Sequence, residues 1–140
     1  MPYPPLVSYQ SEERYRLHFE QVYCRGPIIT FDGIPVRFKK GDFNHVFYES
    51  VRTKDDSFSH MRAERIDWIR AALEDPKSER YVGWDKKRKR LDKRRRVTLV
   101  MGNYVAVIGI SARRKARFIT AFVADSEHTL RMIRQNPKWT

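Results

Sequence analysis

The chain has 140 residues, a length that suits one domain with its own core. Hydrophobic residues make up 41% of it and aromatic residues 13%, so the chain is expected to fold rather than stay disordered. The longest apolar stretch, residues 97–112, is too short and too polar to span a bilayer, and the first ten residues lack a secretory pattern. The lone Cys24 excludes an internal disulfide and predicts a buried thiol in a reducing compartment. A membrane protein is excluded, and a cytoplasmic location is predicted.

The net charge of +12 is concentrated in one part of the chain. Residues 86–117 contain 13 Lys and Arg against one acid, whereas the remaining residues carry equal numbers of acidic and basic groups. A charge this concentrated produces a strong potential over one surface, for which a polyanion is the natural partner. The distribution therefore predicts a nucleic-acid-binding protein, with RNA as the favoured partner.

The first predicted elements are a helix and a β-hairpin. Residues 11–24 begin with a serine suited to cap a helix, and aromatic residues follow at helical spacing. Residues 27–31 and 34–38 flank Asp32-Gly33, a dipeptide typical of tight turns between paired strands. Pro35 suggests that the second strand lies at a sheet edge.

The second predicted helix is the clearest by periodicity. It is expected to start at Ser57 or Ser59 and to end at Leu73, ahead of a proline. Arg62 is in register with the apolar stripe of this helix and is therefore expected at the margin of the core. The stripe consists of Ile66, Ile69 and Leu73.

Four strand-like runs rich in Val, Ile, Tyr and Phe complete the domain. They are residues 80–84, 96–101, 104–110 and 116–124. The turns between them predict an antiparallel meander, and a last short helix is expected over residues 126–134, capped by Asp125 or Ser126. The predicted fold class is α+β, with N-terminal helices packed on a twisted antiparallel sheet in a single domain of residues 1–140.

The basic run at residues 86–96 is the first candidate for function. It is predicted to be a loop between two strands that contacts phosphates with little sequence preference. A mobile solvated loop and a nuclear import signal are open alternatives. The predicted nucleic-acid contacts are Lys39, Lys86, Lys87, Arg88, Lys89, Arg90, Lys93, Arg94, Arg95, Arg96, Arg113, Arg114 and Arg117.

His45 is the second candidate, in the aromatic segment 41–50 that is predicted to be a loop or a short helical turn. Lys39 and Lys40 lie just upstream, and cations near an imidazole can bind a phosphate while the imidazole transfers protons. An ordinary structural role is the alternative. The other three histidines, His18, His60 and His128, are better explained as surface or structural residues.

Arg62 and Arg65 are the third candidate. Such a pair can clamp a phosphate, since each guanidinium offers several donors in one plane. The alternative is an internal salt bridge of Arg62. The acids available for it are Glu49, Asp55, Asp56 and Asp67.

The chain lacks several sequence patterns that would indicate other chemistry. It has no Asp/Glu cluster at metal spacing, no Cys/His ligand set and no Gly-rich phosphate loop, so a metal nuclease or an NTPase is disfavoured and no metal or cofactor is expected. What remains is metal-free cleavage of RNA by its own 2′-OH, with histidine as general base and Arg or Lys stabilising the charged intermediate. A non-catalytic RNA- or DNA-binding protein is the competing hypothesis.

Four segments of the chain resemble nucleases of the barnase–EndoU–colicin–RelE superfamily, and in particular its phage-encoded branch. They are residues 31–36, 43–47, 62–69 and 118–122. The resemblance implies a helical N-terminal part on a twisted four- or five-stranded antiparallel sheet. It also implies a metal-independent ribonuclease of toxin or phage-effector type, acting in the cytoplasm of a bacterial or phage-infected cell and held by an acidic antitoxin or immunity protein.

Site residues also follow from this resemblance. It implies that His45 is the general acid/base, that Lys40 and Arg62 or Arg65 bind phosphate, and that Thr120 supplies a hydroxyl from a late strand. Thr120 is equally explained as an ordinary β-branched strand residue. Tyr104 and Arg117 are weaker candidates. The basic run at residues 86–96 is not part of the superfamily pattern and is interpreted as a specificity insert or as a sign of binding without cleavage.

Overall fold

The computed structural model describes residues 3–112 and 114–139 and contains helices and strands in an α+β arrangement. The helices are α1 (Glu12–Tyr23), α2 (Asp42–Phe47), α3 (His60–Ala63), α4 (Ile66–Glu74) and α5 (Glu127–Arg134). The strands are β1 (Ile28–Ile29), β2 (Pro35–Arg37), β3 (Tyr48–Glu49), β4 (Ser57–Phe58), β5 (Glu79–Asp85), β6 (Arg90–Met101), β7 (Tyr104–Ala112) and β8 (Lys115–Val123). Across the described ranges, no helix is long and apolar enough to cross a membrane.

The main sheet has six strands in the order β1-β2-β8-β7-β6-β5, and β3 and β4 form a separate two-stranded sheet. The meander of β5 to β8 is antiparallel, as predicted. The prediction of a purely antiparallel sheet of four or five strands was wrong, because β2 pairs parallel to β8. The chain leaves β2, passes through α2, α3 and α4, and re-enters at the opposite edge with β5, which gives β2 and β8 the same direction.

The two faces of the main sheet carry different layers. One face is buried under α1, α2 and α4 and forms the larger core, to which Phe19, Ile69, Leu99 and Phe118 contribute. The other face is covered at one end by α5, where Leu130 and Ile133 pack against a smaller cluster that includes Tyr81, Val100 and Val105. No helix of the described chain covers the rest of this second face, and the cationic residues 93–96 of the meander lie beside it.

Local capping signals predicted several elements well. Ser11 caps α1 by accepting a hydrogen bond from the Arg14 backbone N–H, and Ser126 caps α5 in the same way. The predicted hairpin is present, although its strands are short. Pro35 was wrongly assigned to an edge strand, since β1 takes the edge. β2 tolerates the proline because its pairing with β8 starts only at Val36.

The second predicted helix is broken. Ser59 caps α3, which ends at Ala63, and α4 starts at Ile66 after Arg65 takes a non-helical conformation. The prediction of one continuous helix was therefore wrong, and so was the placement of Arg62 at the core margin, because its side chain is exposed. No glycine or proline marks the break, and the apolar spacing runs through it.

The predicted loop at residues 86–96 is a tight turn followed by a strand. Residues 86–89 form the turn, and β6 begins at Arg90. Val82 pairs with Val97 but Gly83 pairs with Asp92, so four consecutive cations, residues 93–96, have no partner on β5. This bulge places a cluster of positive charge on the rigid meander rather than on a loose loop.

Candidate nucleic-acid interface

A cationic groove lies on the uncovered part of the second sheet face. We call it the basic groove; its volume is about 230 Å³. It is lined by four arginines, Arg88, Arg95, Arg96 and Arg117, together with Asp85, Asp92, Gly109, Ile110 and Ser111. Trp84, on β5 of the same hairpin, is 52% exposed, but it alternates with Gly83 and Asp85 and so lies on the opposite face of the sheet from the groove. The groove thus offers a cluster of positive charge that suits a phosphate backbone.

The two acids in the basic groove organise it. Asp85 accepts hydrogen bonds from the backbone N–H groups of Lys87 and Arg88, at 3.0 and 3.3 Å, and lies 4.0 Å from the Arg96 guanidinium. The Arg88 backbone bond, followed by that of Lys87 and the nearby arginine charges, holds the pKa of Asp85 below its ordinary value. Asp92 accepts from the backbone of the bulge in the same manner. Both carboxylates therefore fix the backbone of residues whose side chains carry the positive charge.

Gly109 makes room for the groove at the middle of the sheet. A Cβ atom at this position would lie 3.1 Å from Ile119 Cδ1 and 3.6 Å from the Arg117 guanidinium carbon.

Thr120 pairs with Val107, which packs in the α5 cluster, so Thr120 lies on the face that carries the basic groove. The structure therefore places the Thr120 hydroxyl between this groove and α5.

A second cavity, of about 290 Å³, lies on the other side of β8, and we call it the arginine cavity. It is lined by Val46, Met61, Arg62, Arg65, Tyr104, Ala121, Phe122, Val123 and Asp125. Its residues come from α2, α3, the break before α4, the start of β7, the end of β8 and the segment after β8. The structure thus brings Arg62 and Arg65 together, as the sequence predicted, and adds Tyr104 to them.

Among the described residues, Arg62 does not form the internal salt bridge that was the alternative for it, and both arginines donate to backbone carbonyls instead. Arg62 Nη1 donates to the Tyr48 carbonyl at 2.6 Å, and Arg65 Nη1 donates to the Met61 carbonyl. The Arg65 guanidinium also lies over the Trp68 ring, with its carbon 5.1 Å from the ring centroid. Arg65 Nε is buried without a hydrogen-bond partner in the described protein. Both guanidinium groups keep donors for a ligand.

Tyr104 forms part of the wall of the arginine cavity. Its ring packs edge-on against Trp68, with centroids 5.6 Å apart. Burial raises the pKa of Tyr104, while the Arg65 charge lowers it. The hydroxyl therefore stays protonated and remains a donor, and it has no hydrogen bond to another described residue.

His45 lies on the exposed side of α2 and has an acidic neighbour rather than the cationic ones that the sequence predicted. Its Nδ1 is 3.5 Å from Asp55 Oδ2, and its side chain is 43% exposed. Asp55 belongs to the loop between β3 and β4, where it has a left-handed φ of 52° and its N–H donates to Ser50. Asp56 closes this loop by accepting three backbone hydrogen bonds, which hold its pKa down at about 2.

The helix α2 connects the two cationic sites. Beyond Arg117, β8 pairs only with β7 in the described chain, and α2 packs against its open side. Val46 lines the arginine cavity at one end of α2. At the other end, burial raises the pKa of Asp42, whereas the Lys39 backbone N–H and the nearby charges of His45 and Arg117 lower it. The residue after His45 thus lines the arginine cavity, and Asp42, on the same helix as His45, is near Arg117 of the basic groove.

Other predicted residues lie apart from these two sites. Lys40 lines a shallow depression beside α1 together with Cys24, which is partly buried rather than fully buried. The Arg114 guanidinium turns toward the tip of the β1–β2 hairpin, near Gly33. His18 bonds to Tyr9 and Asp67 and has a structural role. Arg113 falls outside the described residues.

Within the described ranges, no three His, Cys, Asp or Glu side chains are grouped closely enough to hold a metal ion. Comparison of the chain with protein-family models, with curated proteins and with solved structures finds no significant match. The resemblance to the barnase–EndoU–colicin–RelE superfamily accordingly remains a prediction from the sequence segments.

Proposed function

We propose that this protein is a metal-independent endoribonuclease that holds RNA in the basic groove and cleaves it at His45. The observation that supports the proposal is the helix α2, whose exposed His45 has the Asp55 carboxylate beside it, whose Val46 lines the arginine cavity, and whose Asp42 is near Arg117 of the basic groove. A strand of RNA that follows the positive surface passes this imidazole. The resemblance to the superfamily gives separate support from the sequence.

In the proposed reaction the Nε2 atom of His45 accepts the proton of a ribose 2′-OH, while Asp55 orients the ring through Nδ1. The 2′-oxygen then attacks the adjacent phosphorus, the bond to the 5′-oxygen breaks, and that oxygen leaves with a proton from the imidazolium or water. The products are a 2′,3′-cyclic phosphate and a 5′-hydroxyl. Free donors of the exposed Arg62 stabilise the additional negative charge on phosphorus.

A protein that binds nucleic acid without cleaving it is the second candidate. The observation that favours it is the self-contained basic groove, whose bulge and acids are arranged without any contribution from His45. Lys40 also lies apart from the histidine, beside α1. On this hypothesis the groove carries the whole function and RNA remains intact.

The test is incubation of end-labelled RNA with the purified protein in EDTA, followed by analysis of the product ends. The proposal predicts cleavage with 2′,3′-cyclic phosphate ends, and no cleavage of an oligonucleotide with a 2′-deoxyribose at the scissile position. Products with 5′-phosphate ends, or equal cleavage of the deoxy substrate, would contradict the mechanism. Binding with no cleavage of any RNA would favour the second candidate.

A further inference from the structure

The arginine cavity has the size and walls of a pocket for one flat ring system. Its volume of about 290 Å³ is close to the lower end, roughly 300 Å³, of small-molecule pockets. Met61 and Phe122, which line it, are 71% and 39% exposed. Thioether and aromatic surfaces are good stacking partners for a base. A phosphate group alone would leave these apolar walls uncovered.

Two donor groups of the cavity have no acceptor in the described protein. Arg65 Nε is buried and unpartnered, and the Tyr104 hydroxyl has no hydrogen bond within the described residues. A ligand that fills the cavity must therefore bring acceptors to this wall. Guanine has two adjacent acceptors, O6 and N7, which arginine commonly binds.

Asp125 needs hydrogen-bond donors from a ligand, whereas Arg65 and Tyr104 need acceptors. This exposed carboxylate lines the same cavity and makes no ion pair or hydrogen bond with another described residue. A carboxylate accepts hydrogen bonds, and guanine has the donors N1–H and N2–H₂ on the edge next to O6. We propose that the arginine cavity binds a guanine base of RNA, so that cleavage occurs beside guanosine.

The other bases match this set of groups less well. Adenine presents an amino donor to Arg65 where guanine presents O6. Uracil has one ring donor and no equivalent of N7, and cytosine has neither donor of guanine in the required place. One good bidentate pair is worth a factor of about 5 to 150 in affinity, and Asp125 can form a second with N1–H and N2–H₂, so guanine should be preferred by at least about tenfold.

The inference rests on the proposed function for its RNA context, but base binding can be measured without cleavage. Isothermal titration of the full chain with the four nucleoside 3′-monophosphates is the experiment. Guanosine 3′-monophosphate should bind at least about tenfold more tightly than the other three. Asp125→Asn should remove most of this preference, and Phe122→Ala should weaken all four nucleotides. Glu127→Gln, a nearby exposed carboxylate change on α5, is the matched control and should alter nothing.

Equal affinity for the four nucleotides, or a guanosine preference that Asp125→Asn leaves intact, would overturn the inference. Its failure is distinct from failure of the proposed function. Selective guanosine binding without RNA cleavage would support the cavity assignment and contradict the nuclease. Cleavage beside all four bases, with no preference among the mononucleotides, would support the nuclease and contradict the cavity assignment.

Discussion

The imidazole Nδ1 of His45 lies 3.5 Å from Asp55 Oδ2, while Nε2 has no hydrogen-bond partner in the described protein. A histidine with a carboxylate beside one ring nitrogen and with the other nitrogen open can accept a proton from a bound substrate. The two residues come from different elements, α2 and the β3–β4 loop, so their contact depends on the tertiary fold.

Asp55→Asn should slow RNA cleavage by about tenfold or more, because the ring loses the carboxylate that orients it. The dissociation constant for RNA should change little, since Asp55 does not line the basic groove. Single-turnover rates with the variant check this expectation. Glu13→Gln, an exposed carboxylate on α1, is the control, and an equal effect in both variants would remove the special role of Asp55.

Replacement of Arg95 and Arg117 by Gln should weaken RNA binding and flatten its salt dependence. Each lost phosphate contact should lower the slope of log affinity against log salt by about one unit. Binding titrations over a range of salt concentrations measure this slope. Lys77→Gln removes an exposed charge from a distant loop and should leave it unchanged. Equal slopes for the wild type and the double variant would mean that the basic groove does not hold the phosphates.

Gly83→Ala should destabilise the β5–β6 hairpin by about 1–3 kcal/mol through overpacking. The added Cβ would lie 2.8 Å from Arg96 Cβ and 3.2 Å from the Arg96 carbonyl carbon, so the bulge must shift. Urea unfolding gives the change in free energy. Gly26→Ala is the matched control, since nothing lies within 4 Å of its added atom. A variant of Gly83 as stable as this control would contradict the described register.

Glu79 and Arg134 should stabilise the docking of α5 in a pH-dependent way. Arg134 donates two hydrogen bonds of 3.0 Å to the carboxylate, and these, with Tyr81, hold the pKa of Glu79 below its ordinary value. The Glu79 carboxylate therefore binds a proton less tightly in the folded state than in the unfolded state. The stabilisation is complete above the ordinary glutamate pKa and is lost as the pH falls through the lower folded pKa.

Glu79→Gln should consequently cost about 0.5 kcal/mol at neutral pH, the value for a partly exposed pair, and almost nothing in acid. Urea unfolding of the wild type and the variant at both pH values makes the comparison. The same loss at both values would show that the pair contributes through packing and not through charge.

Much of the fold follows from local sequence signals. Serine caps, a turn dipeptide and alternating β-branched residues predicted α1, α5 and the meander, because these features act over a few residues. The parallel pairing of β2 with β8 and the break before α4 depend on contacts between distant segments. The apolar spacing continues through Arg65, so its pattern alone indicated one helix.

The candidate site was predicted in part. Charge concentration located the basic residues, and the isolated histidine in an aromatic segment indicated His45. The bulge at residues 93–96 was missed because a run of cations looks the same in a loop and in a strand. Asp55 was missed as a partner of His45 because its position depends on the conformation of its loop. In that loop Asp55 itself has a left-handed φ, and Asp56 closes the loop by accepting backbone hydrogen bonds. The run Asp55-Asp56-Ser57 is the local signal that could have indicated such a loop.

In the proposed mechanism His45 acts in cleavage and not in RNA binding. The most direct measurement is the single-turnover cleavage rate and the dissociation constant of one RNA, in EDTA, for the wild type and for His45→Ala. We predict a rate at least about 100-fold lower in the variant, with nearly unchanged binding. Cleavage by His45→Ala at the wild-type rate, or a wild type that binds this RNA and never cuts it, would contradict a catalytic role of His45.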